Sequence, residues 1–130
     1  MTRARTTIED LLAAARARLR RVEPPDVAGE LAGGAVLVDI RSDAQRERDG
    51  GVPDAIVVAR NVLEWRCDPE CSARDERLAD VDRRVILICD EGYQSSLAAA
   101  TLHDLGLVHA TDVVGGFQAW RAAGLPVEPA

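Results

Sequence analysis

One stretch of the chain predicts a buried strand, a tight loop and the start of a helix: Val85-Ile86-Leu87-Ile88-Cys89-Asp90-Glu91-Gly92-Tyr93-Gln94-Ser95-Ser96-Leu97-Ala98-Ala99-Ala100. Four aliphatic residues in a row are typical of a strand buried in a parallel sheet. Gly92 allows the chain to turn within a few positions, and Ser95 or Ser96 is predicted to cap the following helix. Cys89 is therefore expected at the carboxyl end of a strand.

A cysteine at that position faces free backbone amides and a helix N-terminus. Both stabilise an anion, so the geometry favours a thiolate at Cys89 and hence a nucleophile. The alternative is a buried small hydrophobic residue, which is what most free cysteines are. The rest of the chain has to distinguish the two interpretations.

Composition excludes several functional classes. A net charge of −6 disfavours nucleic acid as a partner, and no apolar run is long enough to cross a bilayer. Three unevenly spaced cysteines do not indicate a disulfide framework. The arginine-rich start is similar to a mitochondrial presequence, but Glu9 and Asp10 interrupt it, and nothing resembles a secretory signal. We expect a cytoplasmic protein.

The N-terminal segment predicts a helix that packs on the remainder of the chain. Thr6 or Thr7 can cap it, an apolar stripe runs from Ile8 to Leu19, and Pro24-Pro25 ends it. The chain is therefore divided into residues 1–24, an accessory helix and linker, and residues 25–127, a single domain.

Within that domain, strands predicted at residues 35–40, 55–59, 85–88 and 110–114 alternate with helices. The alternation indicates an α/β fold, with a mainly parallel sheet and helices on both faces. The long connection 60–84 is expected to hold at most a short helix near residues 74–79. Sites in such sheets form beyond the carboxyl ends of the strands, where the sequence places Asp39, Arg41, Arg60, Asn61, Cys89 to Gln94, Gly115 and Gly116.

Four segments together resemble the rhodanese family of sulfurtransferases, in its single-domain form. They are Leu37-Val38-Asp39-Ile40-Arg41, Gly50-Gly51-Val52-Pro53-Asp54-Ala55, Cys89-Asp90-Glu91-Gly92-Tyr93-Gln94-Ser95 and Gly115-Gly116-Phe117-Gln118-Ala119-Trp120. The resemblance spans about Val27 to Pro126. It implies a three-layer fold with a mainly parallel five-stranded sheet.

The resemblance also implies a function. Cys89 would accept a sulfane sulfur as a persulfide and pass it to a thiol or to cyanide, with no cofactor and no metal. The backbone amides of Asp90, Glu91, Gly92, Tyr93, Gln94 and Ser95 would cradle the anion. Asp39, Arg41, Gly115 and Gly116 are expected to be structural residues near the site, and Tyr93 is the residue expected to contact a substrate or partner. The implied partners are a small sulfur donor and a thiol or cyanide acceptor, with a protein thiol as a further candidate and neither nucleic acid nor membrane.

The sequence departs from the family pattern at the loop. Gln94 stands where many sulfurtransferases have an arginine, and Asp90 and Glu91 add negative charge. An anionic donor would be repelled there. We therefore expect thiosulfate to be a poor donor, unless Arg60 and Arg66 reach over the loop to bind it.

Two other functions remain open from the sequence. A rhodanese-like binding or regulatory module is the main alternative, although Cys89 is present, and a persulfide relay to a partner protein lies between the two. A phosphatase or arsenate reductase is disfavoured, because an oxyanion cradle for phosphoryl groups needs an arginine and none lies between Cys89 and Arg121.

Cys67 and Cys71 allow three interpretations. With His103 and His109 they could bind zinc, but their spacing is not typical of zinc sites. A redox role with Cys89 is somewhat favoured over zinc, and two incidental thiols are favoured over both. The two histidines are expected to be structural, and Trp65 and Trp120 to anchor the core or a loop.

Overall fold

A parallel sheet forms the centre of the computed structural model, which describes residues 5–130. Its four strands are β1 (Val36–Asp39), β2 (Ile56–Val57), β3 (Val85–Ile88) and β4 (Thr111–Asp112), in the order β2-β1-β3-β4. The strand β1 pairs with β3 along its whole length, from Val36 opposite Val85 to Asp39 opposite Ile88. All three pairings are parallel, so the carboxyl ends of the strands meet at one edge.

The expected fifth strand does not form among the described residues. Val22 makes only an isolated parallel bridge to Val113, beside β4. Its N–H donates to the Asp112 carbonyl at 3.0 Å, and its carbonyl accepts from Val114 at 2.9 Å. Pro24 follows two residues later and has no N–H to donate, so the ladder cannot continue. The number of strands was therefore predicted wrongly, while the α/β architecture is confirmed.

The described residues form six α-helices around the sheet: α1 (Ile8–Ala17), α2 (Val27–Ala32), α3 (Asp43–Asp49), α4 (Leu63–Cys67), α5 (Gln94–Asp104) and α6 (Gly116–Ala122). Two 3-10 turns cover Pro24–Asp26 and Arg60–Val62. In residues 5–130 there is no helix long and apolar enough to span a bilayer.

Two apolar cores lie on opposite faces of the sheet, because successive strand residues point to opposite sides. Leu37 and Ile86 face the core completed by α2 and α6. Val38 and Leu87 face the core completed by α4 and α5. The result is three layers, and α1 packs outside them, along α5.

Helix α1 begins as the sequence predicts. Thr7 is its N-cap, with a reciprocal capping box to Asp10. Arg18, at the end of the helix, pairs with Asp104 at the end of α5, at 2.8 Å. The division into residues 1–24 and 25–127 stays a prediction, and residues 1–4 of the first segment lie outside the described residues.

Two local predictions are wrong. Residues 74–79 hold a turn at 76–78 and no helix, and the helix in the long connection is α4, at 63–67. Neither Ser95 nor Ser96 caps α5, which begins after Tyr93 with no side-chain cap. Both serines are fully buried and their hydroxyl groups bond to other partners.

Candidate active site

Cys89 follows β3 directly and faces the first turn of α5. Its side chain is enclosed, with 4% of the residue exposed. The sulfur accepts hydrogen bonds from the backbone N–H groups of Gly92, at 3.1 Å, and of Ser95, at 3.4 Å. The Ser95 hydroxyl oxygen lies 3.2 Å from the same sulfur. Three polar groups therefore surround one sulfur atom at the carboxyl edge of the sheet.

The loop holds this shape because it packs backbone to backbone on the start of α6. Gly92 has φ of +83° and Gly116 has φ of +59°. A Cβ atom on Gly116 would lie 2.5 Å from the Cys89 carbonyl oxygen, closer than any side chain can be placed. Phe117 and Gln118 donate their N–H groups to the carbonyls of Cys89 and Asp90, at 2.8 and 3.0 Å. Helix α6 thus binds the carbonyl groups of Cys89 and Asp90.

Behind the sulfur, the Ser95 hydroxyl donates to the Asp112 carboxylate at 2.8 Å. Ser96 donates to the same oxygen at 2.7 Å, and Arg21 forms a two-point ion pair with Asp112 at 2.8 and 3.2 Å. The Asp112 carboxylate is fully buried, and these donors compensate its charge. Cys89, Ser95 and Asp112 therefore form one hydrogen-bonded chain.

The two acidic residues of the loop have different surroundings. Asp90 accepts from Gln118 at 2.9 Å and from Arg48 at 3.3 Å. Arg48 also bonds to Asp49 and, with Gln118 and Arg121, lowers the pKa of Asp49 to about 2, although desolvation alone would raise it. Glu91 is exposed and has no ion pair within residues 5–130. The uncompensated negative charge at the loop is thus that of Glu91.

The Asp39–Arg41 pair lies at the end of β1 and is buried. The two side chains are 2.8 Å apart and at most 1% exposed. Arg41 also donates to the Gly50 carbonyl at 2.8 Å, and its guanidinium stacks over Phe117 at 3.9 Å. These contacts join β1 to the start of α6, on which the loop rests.

The structure separates the two arginines predicted to bind substrate. Arg60 and Gln94 line one open cavity of about 580 Å³ at the carboxyl edge, where Arg60 pairs with Glu64 at 2.8 Å. Arg66 does not line this cavity, and its side chain donates to the Ala73 carbonyl. Tyr93 is 58% exposed and lies under the guanidinium of Arg16, at 5.4 Å.

The other cysteines and histidines lie outside this cluster. Cys67 is buried, and burial, with Glu64 and Asp75 nearby, raises the pKa of its thiol to about 12. Cys71 is half-buried, next to Trp65 in a shallow pocket. His103 contacts the Ala110 carbonyl at 2.7 Å. Residues 5–130 hold no group of three or more side chains suited to bind a metal.

Sequence reasoning missed several residues of the site, among them Asp112, Arg16 and Arg21. Asp112 could have been suspected, since it is an acidic residue inside a predicted apolar strand that ends at the active edge. Arg16 and Arg21 gave no such signal. They lie in the arginine-rich N-terminal segment, where only the tertiary fold selects the residues that reach the loop.

Comparison with known proteins finds a matching family model and a similar relative. A family model described as "Rhodanese-like domain" matches residues 23–123. A thiosulfate sulfurtransferase GlpE from Pseudomonas savastanoi pv. phaseolicola is 33% identical over 103 residues, which cover 79% of this chain and 88% of the relative.

Two solved structures have the same fold. A Rhodopseudomonas palustris protein, RPA3614, described as of unknown function and a possible tyrosine phosphatase, is 33% identical with a TM-score of 0.86 over 98% of both chains. A rhodanese-related protein from Thermoplasma volcanium is 24% identical, with a TM-score of 0.66, and the match covers 85% of this chain and 99% of that one.

Proposed function

Because the chain belongs to the family of rhodanese-like domains, we propose that it is a sulfurtransferase that carries a sulfane sulfur on Cys89. The observation that supports this proposal most is the set of polar groups around the Cys89 sulfur. Two backbone N–H groups and one hydroxyl lie within 3.4 Å of it. These groups stabilise an anionic sulfur without a metal or a separate base.

The reaction has two balanced steps. The Cys89 thiolate attacks the outer sulfur of a donor such as thiosulfate, so that a new S–S bond forms on Cys89 and the donor S–S bond breaks. Sulfite leaves with the bonding electron pair. An acceptor thiolate or cyanide then attacks the outer sulfur of the persulfide, which gives a new persulfide or thiocyanate and restores the Cys89 thiolate.

The donor is proposed from charge. The relatives named thiosulfate sulfurtransferase support thiosulfate as one donor, but the exposed Glu91 carboxylate disfavours a dianion near the loop. Arg48 compensates Asp90 and does not compensate Glu91. We propose that the physiological donor is a persulfide and that thiosulfate is used less well.

The loop composition argues against phosphoryl transfer. Residues 90–95 contain no arginine, and an oxyanion with the charge of a phosphoryl group needs such a donor. A binding or regulatory module remains the alternative, and it predicts no covalent change at Cys89.

We also propose a cytoplasmic location, with which three unpaired cysteine thiols are consistent.

Transfer of sulfur to an acceptor tests the proposal. The protein is incubated with thiosulfate or with glutathione persulfide, and the formation of thiocyanate or of a new low-molecular-weight persulfide is followed. Cys89→Ser should abolish transfer from both donors, while Cys71→Ser, a matched control, should retain it. Transfer by Cys89→Ser at the wild-type rate, or no transfer by the wild type from either donor, would overturn the proposal.

A further inference from the structure

Two arginines from the N-terminal segment bind the outer side of the cysteine loop. Arg16 of α1 donates to the Gly92 carbonyl at 2.8 Å, and Arg21, after α1, donates to the same carbonyl at 3.0 Å. Both residues precede residue 23, where the match to the family model begins. The match therefore does not assign them a role.

Gly92 is the residue at which this binding can affect the sulfur. Its N–H donates to Cys89 at 3.1 Å, while its carbonyl accepts from the two arginines. A glycine with φ of +83° has many alternative backbone conformations. Two cationic donors on its carbonyl restrict that freedom and keep the N–H directed at the sulfur.

The same arginines also contact the first turn of α5, Arg16 directly and Arg21 through Asp112. Arg16 donates through Nε to the Ser96 hydroxyl at 3.1 Å. Arg21 binds Asp112 at 2.8 Å, and Asp112 accepts the hydroxyl proton of Ser95. The N-terminal segment thus binds the Gly92 carbonyl directly and contacts the Ser95 hydroxyl through Asp112.

Charge adds to the geometry. Arg21 is paired with Asp112, but Arg16 has no carboxylate partner in the described part of the chain. Its contacts are the Gly92 carbonyl, the Ser96 hydroxyl and the face of the Tyr93 ring. Its positive charge therefore remains uncompensated beside the loop, where it favours an anionic sulfur.

We propose that Arg16 and Arg21 are positioning residues for the reaction at Cys89, and that the N-terminal helix is part of the active site. This inference rests on the proposed sulfurtransferase function. The proposal predicts that loss of these contacts slows the transfer of sulfur to Cys89 and leaves the binding of the donor unchanged.

The test compares variants of two arginines at the C-terminal end of α1. Arg16→Gln removes the bonds to the loop, and Arg18→Gln removes an ion pair to Asp104 that joins α1 to α5 without touching the loop. Arg21→Gln leaves the buried Asp112 carboxylate without its ion pair and can fail to fold, so Arg16 is the decisive position. Arg16→Lys, which keeps one donor and the charge, is the conservative variant.

The readout is the rate constant of persulfide formation in a single turnover with glutathione persulfide. The amplitude reports the folded, reactive fraction, so the rate constant is free of any loss of stability. Arg16→Gln should lower it about tenfold at an unchanged half-saturating donor concentration. Arg18→Gln should stay within about twofold of the wild type, and Arg16→Lys should recover part of the loss. Equal rate constants for Arg16→Gln and Arg18→Gln would overturn the proposal.

Hydrogen–deuterium exchange separates this inference from the proposed function. Exchange at the N–H group of Gly92 should become faster in Arg16→Gln and stay unchanged in Arg18→Gln, whether or not any donor reacts. Unchanged exchange in Arg16→Gln would show that the arginine does not position the loop. If the wild type formed no persulfide at all, the sulfurtransferase function would fail while the exchange result still stood.

Discussion

Ser95 donates its hydroxyl proton to the buried carboxylate of Asp112 at 2.8 Å. A serine hydroxyl has one proton, so in this arrangement its oxygen can only accept from the Cys89 thiol, at 3.2 Å. Ser95 can stabilise an anionic sulfur through its hydroxyl only if this proton turns from Asp112 to the sulfur. Asp112 keeps Ser96 and Arg21 as donors, so this rotation leaves no buried carboxylate oxygen unpaired.

The Ser95 hydroxyl should therefore favour the anionic sulfur. We expect Ser95→Ala to lower the rate constant of persulfide formation by at least about tenfold, the effect of one hydrogen bond to a charged group. Stopped-flow measurement with glutathione persulfide checks this. Ser96→Ala, which removes a donor to Asp112 but none to the sulfur, is the comparison, and it should lose less. The interpretation fails if Ser96→Ala is the slower variant.

Reversing the charge of Glu91 should improve the use of thiosulfate. The exposed carboxylate repels the dianion, so Glu91→Arg should lower the KM for thiosulfate about two- to fivefold, with a smaller effect at high salt. Glu70→Arg makes the same change in net charge at an exposed position outside the loop and should leave KM unchanged. An unaltered KM in Glu91→Arg would show that the charge of the loop does not limit thiosulfate binding.

The contact between Gly116 and the cysteine loop should tolerate no side chain. In Gly116→Ala the new Cβ would meet the Cys89 carbonyl oxygen at 2.5 Å and the Gly92 nitrogen at 2.7 Å. We expect a loss of at least about 2 kcal/mol in the free energy of unfolding. Gly29→Ala, in α2 with no atom within 4 Å of its Cβ, should instead gain about 0.5–1 kcal/mol. Urea unfolding of both variants measures this, and equal stabilities would contradict the described packing.

The buried thiol of Cys67 should make stability depend on alkaline pH. Its pKa is raised from 9.0 to about 12 in the folded chain, first by burial and then by Glu64 and Asp75. The folded state therefore holds the proton more tightly than the unfolded chain. The resulting stabilisation is complete below pH 9 and is lost as the pH rises toward 12, at up to about 1.4 kcal/mol per pH unit.

The chain has no lysine, so few other groups titrate in that range. In Cys67→Ala this component of the slope should be absent, while Cys71→Ala should keep it. Urea unfolding at several pH values gives the slopes. The assignment is wrong if the slope of Cys67→Ala equals that of the wild type.

The layered fold was predictable because the evidence for it is local. The apolar run at residues 85–88 specifies the central strand, and the glycines at 115 and 116 follow from the close approach of two backbones. Cys89 could be placed at the carboxyl edge of the sheet because it directly follows this apolar run. The isolated bridge at Val22 could not be predicted, because one bridge beside two prolines has no periodicity to detect.

The surroundings of the loop depended on the tertiary structure. The sequence presented Asp90 and Glu91 as equivalent acids, but only the fold brings Arg48 and Gln118 to Asp90. Ser95 was expected to cap a helix, since serine before an apolar run favours that position. Burial against Cys89 and Asp112 gives its hydroxyl different partners, which no local pattern encodes.

Intact-mass spectrometry of the protein after incubation with a sulfur donor tests the central claim most directly. Glutathione persulfide should add the mass of one sulfur atom to the wild type. The same addition should be absent from Cys89→Ser, present in Cys71→Ser, and removed from the wild type by cyanide. An unmodified mass with both glutathione persulfide and thiosulfate, or an adduct that persists in Cys89→Ser, would contradict a persulfide carried on Cys89.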